Sequence, residues 1–347
     1  MGKDIDRGGE SLTTKPGTKR FRERSARLRQ GKENHLRHRA SLEWRLDQDR
    51  VCMKGGDAAD VVPIAALLAV LQQSRTFSAL HEDVSKQGLS VVYDSQSATA
   101  QYYSGEGRRI ITLNPLRTRG DLLNALSREV RRAWQKDHGA LVNPLHFDPD
   151  EAVLVNRAQQ ADVYMMSIKV AWELRLAGES EAWDYLIGSP IADVTRLFEN
   201  KAREDFRTLN NGQAARAAYD RFFEDSRTKV HDKRIIHQML LDEQHYMKRR
   251  ASAEKVSMEL FRKLGELPHG QNYLSMRSDR MPVDMCYATV EDRSNANFLW
   301  FIKFERSFQE KELQMVQESV RLSAEIVDFA KWADKTRGLN GPGNGRA

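Results

Sequence analysis

The chain has 347 residues, 40% of them hydrophobic and 30% charged, with a formal net charge of +6. That length suits one large domain or two ordinary ones, and no apolar run approaches the roughly 20 residues of a membrane span. Only two cysteines occur, Cys52 and Cys286, which excludes a disulfide framework or a cysteine zinc knuckle and makes a reducing cytoplasm the expected setting.

The charge is unevenly placed. Residues 1–50 carry 14 Lys+Arg against 8 Asp+Glu, so the rest of the chain is balanced. The basic character therefore belongs to an arm and not to a face of the folded body. The opening MGKDIDRGGESL lacks the apolar stretch of a secretory signal, and residues 1–18 read as disordered. Residues 19–50 are arginine-rich, with Leu28, Leu36, Leu42, Trp44 and Leu46 too sparse for a continuous stripe. They read as a solvated extension, or as an arm meeting nucleic acid or an acidic partner by counterion release, with Phe21 and Trp44 able to stack on bases.

Ordered structure is expected from near Asp60. The run from Val61 to Gly88 has helical periodicity, with Asp60 as cap, Pro63 in the first turn and Gly88 as stop. Three strand-like segments follow, Leu89–Tyr93, Ala98–Tyr103 and Arg109–Leu113, the last two joined by a turn at Gly105-Glu106-Gly107. A helix is expected from Asp121, as its cap, to Gln135. A proline-bearing linker leads to a long helix over Glu151–Ala177 that is apolar nearly all round and therefore central. Helical blocks follow near 181–187, 191–208, 212–225, 230–250, 253–264 and 305–337. Residues 267–297 read as loop, with a possible strand at Cys286–Val290, and the GLNGPGNGRA tail reads as disordered.

Within the first of these two central helices stands Arg128-Glu129-Val130-Arg131-Arg132-Ala133-Trp134-Gln135, and within the second Gln160-Ala161-Asp162-Val163. At about 100° per residue, Leu122, Leu123, Leu126, Val130, Ala133 and Trp134 share one arc about 120° wide, with Arg128 and Arg132 opposite. Three readings of those arginines stay open. They form a plain solvated face, they line a cleft and pair with Glu129 or Asp162, or they make an anion site with Arg131. Asp162 lies inside an apolar helix, so it is expected to be buried and paired, with Arg128 or Arg132 as partner, or to be a relic beside a metal site.

These segments resemble a bacterial family of unknown function grouped with the metallopeptidases. The resemblance is carried by RIITLNP, DLLNALSREVRRAWQ and NRAQQADVYMMSIKVAWELRLAG within Ile110–Gly178, and further by DFRTLNNG (Asp205–Gly212) and GQNYL (Gly270–Leu274). Metal-binding relatives resemble His-Glu-Leu-Arg-His-Ala-Trp-Gln on the first helix and Glu-Ala-Asp-Ala on the second. The resemblance implies a zincin core, in which two histidines one turn apart hold zinc, a glutamate polarises its water and a third ligand comes from the next helix. Here Arg128, Arg132 and Gln160 stand at the three ligand positions and Glu129 at the general-base position, with Asp162 beside them. A guanidinium is always protonated and has no lone pair for a metal. Zinc, the cofactor in metal-binding relatives, is therefore not expected.

Other constellations are weak. His237 and His245 are too far apart on one helix to share a metal, and His231 and His269 have no ligand spacing. His138 and His146, in the linker, are near enough in sequence to approach the first helix. No nucleophile elbow, Walker loop or dinucleotide fingerprint occurs. The C-terminal helix, with Phe308, Met315, Val316 and Val320 among charges, is expected to dock on the body or to dimerise, though its seam is irregular.

The expected fold is α+β, predominantly helical, with a small antiparallel sheet, a zincin-like active-site helix and a helical C-terminal half. The expected organisation is a basic arm at 1–58, disordered or partly helical, a zincin-like core at 59–190, a helical region at 191–337 and a tail at 338–347. The leading functional expectation is a family member without peptidase activity that acts by binding a protein or an anionic ligand. The alternatives are a helical interaction protein whose residues 19–50 contact nucleic acid, and zinc-free chemistry with Glu129 and Asp162 as an acid–base pair. No membrane partner is expected, and the oligomeric state is not legible.

Overall fold

A computed structural model of the chain describes residues 61–224, 227–241, 255–275 and 278–338. The arm at 1–58, Asp60, Cys52, His245 and the residues after Gly338 lie outside the described residues.

The expected first helix is two helices, α1 (Ile64–Leu71) and α2 (Arg75–Ser85). The break falls where the Ser74 side chain accepts from the Phe77 backbone N–H and starts a new helix. Strands β1 (Leu89–Tyr93), β2 (Gln101–Gly105) and β3 (Arg108–Leu113) form one sheet in the order β1-β3-β2. The sheet is mixed and not antiparallel throughout. β2 and β3 form the expected hairpin, but β1 pairs parallel to β3, with Leu89 opposite Arg109. The hairpin turn places Glu106 at φ 52° and Gly107 at φ 73°, the left-handed pair that a two-residue turn matching strand twist requires.

Helix α3 (Arg119–Asp137) follows, then a 3-10 turn at Pro144–His146 and the 28-residue α4 (Pro149–Leu176). The cap of α3 is Thr118, whose hydroxyl accepts from the Asp121 N–H, and not Asp121 itself. The carboxylate of Glu173, on α4, accepts from the Ser74 hydroxyl (2.6 Å), the Thr76 N–H (2.8 Å) and the Thr76 hydroxyl (2.6 Å), tying α4 to the start of α2. Burial opposes its charge, yet Lys169 and these donors hold its carboxyl below the ordinary value.

The chain continues through α5 (Glu181–Ile187), α6 (Ala192–Glu204), α7 (Arg207–Asn210), α8 (Gln213–Phe223), α9 (Arg227–Leu241), α10 (Met258–Leu264) and α11 (Met285–Ala288) to the 46-residue α12 (Arg293–Gly338). The possible strand at Cys286–Val290 is instead α11 and the chain leaving it. In residues 267–297 the described β pairing is an isolated bridge between Glu266 and Asn272.

The main core runs from Leu67 to Tyr287 and draws on α1 to α8, α10, α11 and the sheet. A second cluster joins Phe147 and one end of α4 to Ile235, Ile236 and Met239 of α9, Leu260 of α10, and Leu299 and Ile302 of α12. α12 starts twelve residues before the expected 305. From Ser307 to Leu322 its described side chains are exposed, Glu310 apart, so the expected docking on the body stops near Arg306. No helix among the described residues is long and apolar enough to cross a membrane.

Candidate functional site

Helix α3 lies against α1, α2, α4, α5, β2 and β3. Its apolar arc is buried as the periodicity requires, but so is the polar face. Every residue from Gly120 to Gln135 is buried, and Arg128, Arg131 and Arg132 are 2%, 0% and 5% exposed. The reading of Arg128 and Arg132 as a solvated face is therefore wrong. A wheel drawn on one helix cannot register that α4 and α5 cover its other side.

The buried cations are handled in three ways. Arg131 forms a two-pronged pair with Asp162, Nε to Oδ2 at 2.8 Å and Nη2 to Oδ1 at 3.1 Å, and also donates to the carbonyls of Leu264 (2.8 Å) and Glu266 (2.9 Å). Its guanidinium lies 4.1 Å from the centre of the Trp134 ring. Arg132 donates from Nη2 to Gln160 Oε1 at 2.9 Å, and its Nε stands 3.6 Å from Glu129 Oε2. Arg128 lies 5.2 Å from the centre of the Tyr164 ring, and its buried Nε and Nη2 have no hydrogen-bond partner.

The partner of Asp162 is thus Arg131, and not Arg128 or Arg132 as expected. Asp162 also accepts from Gln135 Nε2 (2.5 Å) and from the Tyr273 hydroxyl (2.7 Å). Tyr273 belongs to the GQNYL segment. A Cβ on Gly212, which closes DFRTLNNG, would sit 2.9 Å from the Tyr273 Cβ, and Gly212 has φ 80°. The two distant segments that share the resemblance therefore meet each other and the Asp162 cluster.

Glu129 goes elsewhere. Its Oε2 accepts from the Tyr102 backbone N–H at 2.9 Å. Tyr102 lies on β2, an edge of the sheet, so the carboxylate satisfies a strand N–H that no neighbouring strand takes. Burial pushes the Glu129 carboxyl above its ordinary value, and Arg132, Arg128 and the Tyr102 N–H pull the other way. Glu129 and Asp162 have separate partners, so the geometry gives no acid–base pair.

Zinc does not fit these side chains. Arg128 and Arg132 offer no lone pair, and the one neutral oxygen, Gln160 Oε1, is taken by Arg132. Among the described residues no three His, Cys, Asp or Glu side chains are grouped to hold a metal. His138 does not turn towards Arg128 and Arg132. It stacks on Trp134 at 3.9 Å between ring centres, with Nε2 3.5 Å from Asp83.

His231, given no role by its spacing, stands beside this cluster, in ring contact with Tyr164 and Phe222. Burial and the surrounding cations, Arg234, Arg132, Arg157 and Arg227, push its imidazole down to about 3, so it is neutral at physiological pH. Sequence reasoning also missed Arg157, on α4, whose Nε and Nη2 meet Asp232 at 2.7 and 2.6 Å and which donates to the Tyr287 and Thr289 carbonyls. The signal was available. An arginine inside an apolar helix requires a buried anion just as Asp162 required a buried cation.

A long buried helix bearing Glu129, a second buried helix packed on it and a small mixed sheet at its flank define a predominantly helical α+β protein. A family model described as Putative metallopeptidase family (DUF6782) matches residues 28–275, and the chain belongs to that family. No curated protein and no solved structure matches the chain.

Proposed function

We propose that this chain is a metallopeptidase-family protein without zinc peptidase chemistry, that it acts by binding, and that the Arg128–Arg132 cluster takes an anionic group. The observation that carries the proposal is the side-chain set at the three positions that the resemblance gives to zinc ligands. Arg128, Arg132 and Gln160 are buried together, with Arg132 bonded to Gln160 and facing Glu129. A hydrolytic water with its pKa brought towards 7 needs a metal, and two guanidinium groups repel one. The same set suits an anion. Two cations face one carboxylate whose charge burial disfavours, and two Arg128 nitrogens are unpartnered. A carboxylate or a phosphate group is the matching chemistry.

Metal analysis of the purified chain with a peptide-hydrolysis assay tests the proposal. Zinc far below one per chain and no chelator-sensitive hydrolysis are the expected results. One zinc per chain with hydrolysis that a chelator abolishes would overturn it. Titration with inorganic phosphate and with a short peptide tests the ligand class, and Arg128→Met is expected to remove the binding.

A second reading rests on the charge distribution, since the whole net +6 lies within residues 1–50. In that reading residues 19–50 of the arm contact nucleic acid. Deletion of residues 1–50 then abolishes a salt-dependent binding, whereas binding that survives the deletion contradicts the reading.

A further inference from the structure

Helix α12 extends for about 69 Å at 1.5 Å per residue. Its first turns are anchored by Asn295, Leu299, Ile302 and Arg306, all buried. At about 100° per residue these four share an arc of about 60°. On the opposite side Trp300, Phe301, Phe304, Phe308, Met315 and Leu322 fall within an arc of about 100°. All six are exposed, from 42% for Phe301 to 70% for Met315. Trp300 stacks on Phe304 at 5.4 Å between ring centres and Phe304 on Phe308 at 6.5 Å, so these three rings form an unbroken apolar run at one end of the ridge.

At 150–250 Å² per large side chain, the six leave roughly 650 Å² of side-chain surface in water. The largest apolar patch of an ordinary monomer is about 300–600 Å², and a stable interface needs about 800 Å² per partner. The ridge and the polar side chains beside it reach that size along one helix. Two charges interrupt the ridge, Lys311 and Glu318, and they are opposite in sign and symmetric about Met315 to within a residue.

We infer that α12 pairs with α12 of a second copy of this chain, antiparallel and centred near Met315. In that arrangement Phe304 and Phe308 of one helix lie against the Leu322 region of the other, and Lys311 meets Glu318 twice. A parallel pair would set Lys311 on Lys311 and Glu318 on Glu318, which the like charges oppose. A different protein seated on the ridge would have no need of a charge pattern that complements itself. The helix ends carry opposite partial charges, and the antiparallel arrangement sets each beside its opposite.

Sedimentation equilibrium of the full chain over 1–50 µM tests the pairing. A dimer is expected. Lys311→Glu and Glu318→Lys are each expected to weaken it at least tenfold, and the double variant K311E/E318K restores it, because each partner then meets the opposite charge again. Phe304→Glu with Phe308→Glu yields a monomer with unchanged helical circular dichroism, since both side chains face solvent within one chain. In a background with Cys52→Ser and Cys286→Ser, chains carrying Phe308→Cys cross-link to chains carrying Leu322→Cys and not to one another. A monomer across that range, a double charge variant no better than the single ones, or cross-linking of Phe308→Cys to itself alone overturns the inference.

Discussion

Replacing Asp162 with alanine removes the acceptor of four hydrogen bonds at once, from Arg131 Nε and Nη2, Gln135 Nε2 and the Tyr273 hydroxyl. Arg131 keeps the Leu264 and Glu266 carbonyls but loses its only counter-charge among the described residues, and it is fully buried. Breaking a buried ion pair from one side costs about 3–5 kcal/mol, because the remaining charge stays desolvated. With a urea slope near ~3 kcal/mol/M, the unfolding midpoint falls by about 1–1.7 M, read from tryptophan fluorescence and far-UV circular dichroism. Asp162→Asn keeps the shape and an acceptor oxygen, so it costs less. Arg131→Met with Asp162→Ala is expected to cost no more than Asp162→Ala alone, because the stranded charge is gone. A midpoint for Asp162→Ala within about 0.3 M of the parent, equivalent to ~1 kcal/mol at that slope, would refute the structural role of the cluster.

Two further outcomes are expected. Gly212→Ala strains a position at φ 80° and drives a methyl group to 2.9 Å from the Tyr273 Cβ, so a loss of about 1–3 kcal/mol in urea unfolding is predicted. Parent-like stability would contradict that close approach. For His231, the folded value near 3 lies below the unfolded value near 6.5. The unfolded chain therefore takes up the proton first. Stability from the neutral imidazole is fully present above pH 6.5 and is lost as pH falls towards 3, at up to ~1.4 kcal/mol per pH unit. Between pH 6.5 and 5 the parent is expected to lose the first part of that stability and His231→Asn to lose less. Parallel pH profiles would show that His231 stays solvated and titrates normally.

Much of the central architecture was legible because it follows from local pattern. The apolar run over Glu151–Ala177 had to be a buried helix, observed at Pro149–Leu176, and Asp162 inside it had to find a cation. Which cation it found was not legible. Arg128, Arg131 and Arg132 share one arc of about 100° around α3, and only the packing against α4 selects Arg131 for Asp162 and Arg132 for Gln160. The β1–β3 parallel pairing was missed for a related reason. Strand pattern gives the alternation of faces but not the identity of the neighbour, and the hairpin turn at Glu106-Gly107 specifies only β2 with β3. The break at residues 72–74 was hidden by apolar residues on both sides, although Ser74 three residues before Phe77 is a capping signal. The ridge on α12 was present in the sequence as Phe308, Met315 and their neighbours. Its exposure depends on where the body ends, which no local pattern contains.

The placement of the site at Arg128, Arg132 and Gln160 is tested most directly by zinc titration of the variant R128H/R132H/Q160E against the parent. The parent is predicted to take up no stoichiometric zinc. The folded variant is predicted to bind one ion per chain, because two imidazoles and a second carboxylate would restore three donors around the Glu129 carboxylate. A folded variant that binds no more zinc than the parent would contradict that placement.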